Sequence, residues 1–113
     1  MIQATVRMRI APHRRNEVLE VLIPLAERAR IQPGCLSFRI YHDEQQEGVF
    51  LSEALWQGEE ELKQYLRSEN YSLVLQTAEL ALEPPEIQFK TISHVAGLEI
   101  VEEARGIMKN DHG

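Results

Sequence analysis

The stretch "CLSFRIYHDEQQEGVFLSEALW", from Cys35 to Trp56, decides the fold. Residues 35–43 alternate: Leu36, Phe38, Ile40 and His42 share one side, and Ser37, Arg39 and Tyr41 share the other. A period of two is the mark of a strand, because successive side chains project to opposite faces. The polar run "EQQEG" follows, and "VFLSEALW" at 49–56 reads as a second strand. Two strands joined by a short loop containing glycine form an antiparallel hairpin.

Working outward, both flanks of the hairpin change to helical spacing. Upstream, Val18, Val21, Leu22, Leu25 and Ala29 make an apolar stripe within 13–31, with charged residues largely off it. Pro24 falls inside that segment and predicts a kink or a division into two helices. "QPG" at 32–34 ends it. Downstream, 58–67 and 69–82 read as a helical region broken near Ser68, a residue suited to cap the second segment. Its stripe is Leu73, Val74, Thr77, Leu80 and Ala81, and "EPPE" at 83–86 stops it. The outermost elements are strands. Residues 2–10 place Ile2, Ala4, Val6, Met8 and Ile10 on one face, and "IQFKTISHV" at 87–95 is the fourth strand. Gly97 opens a last helical piece, "LEIVEEAR". The order is β-α-β-β-α-β plus a helix, an α+β ferredoxin-like arrangement with a four-stranded antiparallel sheet and its helices on one face. One domain over 1–106 is expected, with a frayed tail at 107–113.

Composition limits the function classes. The 113 residues are 43% hydrophobic and 27% charged, as in an ordinary globular protein. The formal net charge of -6 argues against a nucleic-acid partner. No apolar run is long enough for a membrane span, and the alternating, arginine-bearing start does not read as a signal peptide, so the cytoplasm is expected. Cys35, the one cysteine, precludes an internal disulfide or a thiolate cluster. His13, His42, His94 and His112 lack metal-ligand spacing, and no Gly-x-Gly-x-x-Gly or P-loop occurs. No metal or cofactor is expected.

The hairpin strands carry apolar residues on both parities: Leu51 and Leu55 on one, Phe50, Ala54 and Trp56 on the other. Apolar character on both sides implies burial on both faces. The expectation is a homodimer in which two sheets face each other.

Three features carry a resemblance: "PGCLSFRIYHD" at the second strand, Trp56 before the second helical region, and "LKQYLRSENY" at 62–71. On these the chain resembles the antibiotic biosynthesis monooxygenase family, within the dimeric α/β-barrel superfamily, from Met1 to about Arg105. Its ending, "PPEIQFKTISHVAGLEIVEEAR", is similar to a subgroup described as quinol monooxygenases. The resemblance implies a cofactor-independent oxygenase acting with O2 on a small quinol- or anthrone-like aromatic. Such a substrate supplies its own electrons once deprotonated, so the protein must bind a flat ring, hold its anion and exclude water. Members of the superfamily also include isomerases and haem-degrading enzymes. A non-catalytic dimeric binding module, or an isomerase-type acid–base enzyme, is therefore the alternative.

Two departures from the family pattern stand out. A position commonly histidine is Tyr65, which suits hydrogen-bond donation rather than base chemistry near neutral pH. A glutamate expected two residues before the tryptophan is Ala54, with Glu53 beside it; a bulge would be needed to re-aim Glu53. No histidine lies between Leu66 and Leu82, against haem ligation there.

Candidate catalytic residues are Tyr65, His42 and Arg39; candidate substrate-binding residues are Trp56, Tyr71, Glu53 and Phe38. Each has a packing alternative. Trp56 either walls a pocket with a free N–H or anchors the core. Tyr65 and Tyr71 either donate to a ligand oxygen or fill a helix face. Arg39 in mid-strand, read as buried, needs an anion, and Glu53 across the hairpin is the structural candidate. His42, beside Asp43 at the mouth of the loop, is a candidate base, as is His94.

Overall fold

The computed structural model describes residues 1–106; the tail at 107–113 lies outside the described residues. Strands β1 (Ile2–Arg9), β2 (Cys35–His42), β3 (Val49–Trp56) and β4 (Glu86–Thr91) form one antiparallel sheet in the order β2-β3-β1-β4. A 3-10 turn at Pro12–Arg14 and helix α1 (Arg15–Arg30) join β1 to β2. Helices α2 (Glu59–Leu66) and α3 (Glu69–Ala78) join β3 to β4, and α4 (Leu98–Ala104) follows. Because β3 inserts between β1 and β2, the crossover through α1 is a split βαβ unit, and the fold is the ferredoxin-like α+β arrangement that the hairpin and its flanks indicate.

Register assigns the faces. Directly opposed residues in an antiparallel pair lie on one side of the sheet. The pairs Ile2–Trp56, Ala4–Ala54 and Met8–Phe50, with Phe38–Ala54 from β2, lie beneath the helices. The pairs Thr5–Glu53, Arg7–Leu51 and Arg39–Glu53 lie on the uncovered face. One core cluster joins Met8, Phe50, Val18, Leu22, Leu25 and Val74. A second joins Ala26, Phe38, Ala54, Trp56, Leu62 and Tyr65. Removing a large aliphatic such as Leu25 from water contributes about 1.5–3 kcal/mol. The hairpin closes at Gly48, whose φ of 80° is costly for residues with a Cβ. Its carbonyl accepts from Ile10 N–H at 2.7 Å, and a Cβ there would collide with the Ile10 carbonyl oxygen.

Several sequence expectations are corrected. Pro24 does not divide α1. Its missing N–H leaves the Glu20 carbonyl without a helical partner, at a position on the exposed side of the helix where the loss is tolerated. A bulge between Cys35 and Ser37 shifts the register of β2. Leu36 therefore leaves the side it would share with Phe38 and stands 52% exposed. Helix α3 ends at Ala78, so Leu80 lies beyond it and is exposed, while Ala78 joins the core. Strand β4 ends at Thr91, which leaves His94 outside the sheet and exposed. No helix among the described residues is long and apolar enough to cross a membrane.

Candidate functional site

The site is built where β3 ends and the α2–α3 break begins. Trp56 is the last residue of β3 and is fully buried. Glu59, Glu60 and Glu61 then open α2, where negative charge opposes the positive end of the helix dipole. That helix carries Leu62 and Tyr65 inward on one face. The chain breaks at Arg67, and Ser68 caps α3 by accepting from Tyr71 N–H at 3.2 Å. The break sets Tyr65, in the last turn of α2, against Tyr71, in the first turn of α3.

Tyr65 becomes the hub of an aromatic group. Its ring stacks on Trp56 with centroids 4.7 Å apart and planes at 27°. Phe38 and Tyr71 meet it edge-on at 6.3 Å and 5.5 Å. Offset stacking and edge contacts are the favoured geometries for ring quadrupoles. Around these rings lies a cavity of about 20 Å³, lined also by Ala54, Ser52 and Phe89. Five of the seven Phe, Tyr and Trp residues border it, so most of the chain's aromatic rings gather there. The volume admits a water but falls well below the ~300 Å³ or more of typical ligand pockets. A ring-sized ligand enters only if a side chain or the α2–α3 segment moves.

Two polar groups give the cavity its chemistry. Trp56 Nε1 is buried and has no hydrogen-bond partner among the described residues. An unmet buried donor costs about 1–3 kcal/mol, so an oxygen placed against it would be bound with corresponding gain. The Tyr65 hydroxyl accepts from Asn70 Nδ2 at 3.3 Å. Burial pushes the Tyr65 phenol up to about 12, an effect the Asn70 bond only partly offsets. Burial also raises Tyr71. Both hydroxyls therefore stay protonated at neutral pH. Nearby, burial raises the Cys35 thiol, with a backbone hydrogen bond at Ser37 and the Arg30 charge opposing, so Cys35 is held as a neutral thiol rather than a nucleophilic thiolate.

Of the residues singled out from sequence, Trp56, Tyr65, Tyr71 and Phe38 come together. Arg39, Glu53 and His42 do not join them. Arg39 is exposed, against the expectation of a buried mid-strand arginine. Glu53 is its direct cross-strand partner on the uncovered face, and no ion pair within 4.0 Å forms between them among the described residues. The bulge lies in β2, not β3, so Glu53 is not re-aimed under the helices. Arg39 and Arg30 instead border an open hollow of about 390 Å³ at the edge of β2. His42 sits at the other end of the hairpin, its ring 5.2 Å from Phe50. Among the described residues no three His, Cys, Asp or Glu converge as a metal site. Sequence reasoning missed Asn70 and Phe89. Phe89 was legible only as a strand residue, and Asn70 gave no signal beyond its place two residues after the Ser68 cap.

Residues 1–75 match the family model described as antibiotic biosynthesis monooxygenase. The chain belongs to this family. The match contains the hairpin, Trp56, Tyr65 and Tyr71, and stops short of β4 and α4. A curated relative, the uncharacterised protein sll1783 of Synechocystis sp., is 24% identical over 92 residues, covering 80% of this chain; the chain spans 63% of that relative's length. A crystal structure of an antibiotic biosynthesis monooxygenase superposes with a TM-score of 0.75 at 20% identity, covering 83% of this chain and 100% of that one. Rv0793 from Mycobacterium tuberculosis gives 0.76 at 18% identity, covering 85% and 98%. A conserved protein from Methanosarcina mazei Go1 gives 0.74 at 19%, covering 79% and 89%. At such identities these likenesses establish the family fold and leave the chemistry to the site itself.

Proposed function

We propose that this family member is a homodimeric, cofactor-independent monooxygenase for a small quinol- or anthrone-like aromatic, bound between the sheet and α2–α3. The observation that carries the reading is the buried Trp56 Nε1–H, unpartnered among the described residues, on a ring stacked against that of Tyr65, whose hydroxyl stays protonated, within a shell of aromatic rings. Where both donors reach one ligand oxygen, they stabilise it as it gains negative charge. In the reaction proposed, the aryl-flanked methylene of an anthrone becomes a carbonyl, or a ring C–H of a quinol becomes C–OH as the ring is oxidised to the hydroxyquinone. One atom of O2 is retained, the other leaves as water, and all four electrons come from the substrate. Among the described residues no carboxylate or imidazole lines the cavity. The substrate proton therefore passes to solvent, favoured by the two donors that hold the anion, and Arg39, Glu53 and His42 take no direct part.

Oxygen uptake with a panel of hydroquinones and anthrone tests the proposal. Turnover is expected to rise with pH through the substrate's own ionisation, without a bell centred near neutrality. Trp56→Phe, which keeps the ring and deletes the N–H, is expected to lower the rate by about tenfold or more. No uptake with any substrate across pH would sink the oxygenase reading. The small volume of the cavity favours one alternative, a dimeric module that binds a ligand without transforming it. Ligand-induced quenching of the single tryptophan, with no oxygen uptake, would select it.

A further inference from the structure

We infer that Asn70 is a positioning residue that turns the Tyr65 proton into the cavity, so that the site selects ligands whose buried end is an acceptor oxygen. The inference rests on the proposal that the Trp56–Tyr65 cavity is the ligand site. Asn70 Nδ2 lies 3.1 Å from the Leu25 carbonyl oxygen and 3.3 Å from Tyr65 Oη. A backbone carbonyl only accepts, so the amide must face it with its NH2 group; the flipped amide would set two acceptor oxygens against each other. The NH2 group has two hydrogens and serves both partners. Tyr65 Oη is thereby committed to accepting from Asn70, and its own proton has to point elsewhere. Tyr65 is 5% exposed and its ring is clamped by Trp56, Phe38 and Tyr71, so the phenol has little freedom to escape this arrangement.

The Leu25 carbonyl belongs to α1 and Asn70 to the first turn of α3. The orientation of the phenol is thus referenced to the helix layer and not to α2 alone. Trp56 Nε1–H is a donor by chemistry, and Tyr65 is made one by Asn70. Ser52 and Tyr71 hydroxyls also border the cavity, but each can turn either way. The two fixed groups both donate. A ketone, quinone carbonyl or phenolate oxygen satisfies them together; a ligand presenting only a C–H edge leaves both unmet.

The test compares acetophenone with ethylbenzene, which share a ring and differ in the acceptor oxygen, by NMR titration of the full chain. The wild type is expected to prefer acetophenone by about tenfold or more, the effect of two donors. In Asn70→Asp the carboxylate can only accept, so it draws the Tyr65 proton out of the cavity. The preference should fall to the level of Tyr65→Phe, and Asn70→Asp/Tyr65→Phe should fall no further. Should Asn70→Asp fold poorly, Asn70→Ala frees the hydroxyl to rotate. It should then reduce the preference by a smaller factor while ethylbenzene affinity holds. A merely structural Asn70 would weaken both ligands equally and leave the ratio unmoved. A wild-type preference that survives both Asn70 variants overturns the inference alone. Wild-type protein that binds neither ligand overturns it together with the site reading.

Discussion

Tyr65 links the site to stability through its proton. Its phenol is raised from 10.0 to about 12 chiefly by burial. Between those values the unfolded chain ionises at this position while the folded chain does not, so ionisation favours unfolding. The stabilisation is fully present below about pH 10, declines as pH rises, and is gone above about pH 12, with a total on the order of 3 kcal/mol. Urea titrations of wild type and Tyr65→Phe across alkaline pH should converge over that window. Parallel curves would show that the buried phenol is not the group responsible. The placement of Trp56 and Tyr65 at the sheet–helix seam was legible because one is a lone tryptophan at a strand end and the other an aromatic on the covering helix. Asn70 was not legible. Its phase relative to Tyr65 is set by the break at Ser68, which no single periodicity spans. Arg39 was read as buried because its neighbours Phe38 and Ile40 are apolar; period two separates faces but does not say which one the helices cover.

The α2–α3 break is the element on which the site turns. A continuous helix through 59–78 would carry Tyr71 around the axis, away from Tyr65. Ser68 prevents this by ending one helix and capping the next: its N–H donates to the Tyr65 carbonyl at 2.9 Å, and its hydroxyl accepts from Tyr71 N–H. Ser68→Ala removes only the second bond. It should lower the unfolding free energy by about 1 kcal/mol, with an unchanged denaturant slope, and Ser68→Asp should restore most of it. An unaltered midpoint in Ser68→Ala would mean the cap contributes nothing. Because α3 also carries Asn70, a loosened first turn should weaken ligand binding beyond its effect on stability. The elements themselves were readable where local chemistry is decisive: the Ser68 cap, the "QPG" stop and the Gly48 loop. The bulge at Leu36 was not, since it arises from pairing β2 against β3 while keeping both Cys35 and Phe38 on the core side.

At the scale of the whole molecule, a single chain leaves too much apolar surface in water. Its radius of gyration is 17.6 Å, against about 13 Å for a compact domain of this length. All six residues of β4 are exposed, and Leu98, Ile100 and Val101 of α4 are at least half exposed. The uncovered sheet face sets half-buried Leu51 and Leu55 among Arg7, Arg39, Glu53 and Glu86, with Arg7 and Glu86 3.8 Å apart. Apolar residues interleaved with both signs of charge make a surface that can complement a rotated copy of itself, as a two-fold interface requires. A stable interface buries about 800 Å² on each partner, an area that a four-stranded face can supply. The proposed dimer therefore predicts a sedimenting mass twice the 13.0 kDa of the chain at micromolar concentration. Leu51→Lys/Leu55→Lys places two cations on each facing sheet and should yield a single-chain species with unchanged far-ultraviolet dichroism, because neither side chain contributes to the core beneath the helices. Such a monomer should still show the buried emission of Trp56, which lies on the other side of the sheet. A wild-type protein that sediments as one chain would remove the sheet-face dimer. A variant that remains dimeric would move the interface to the exposed β4–α4 surface instead.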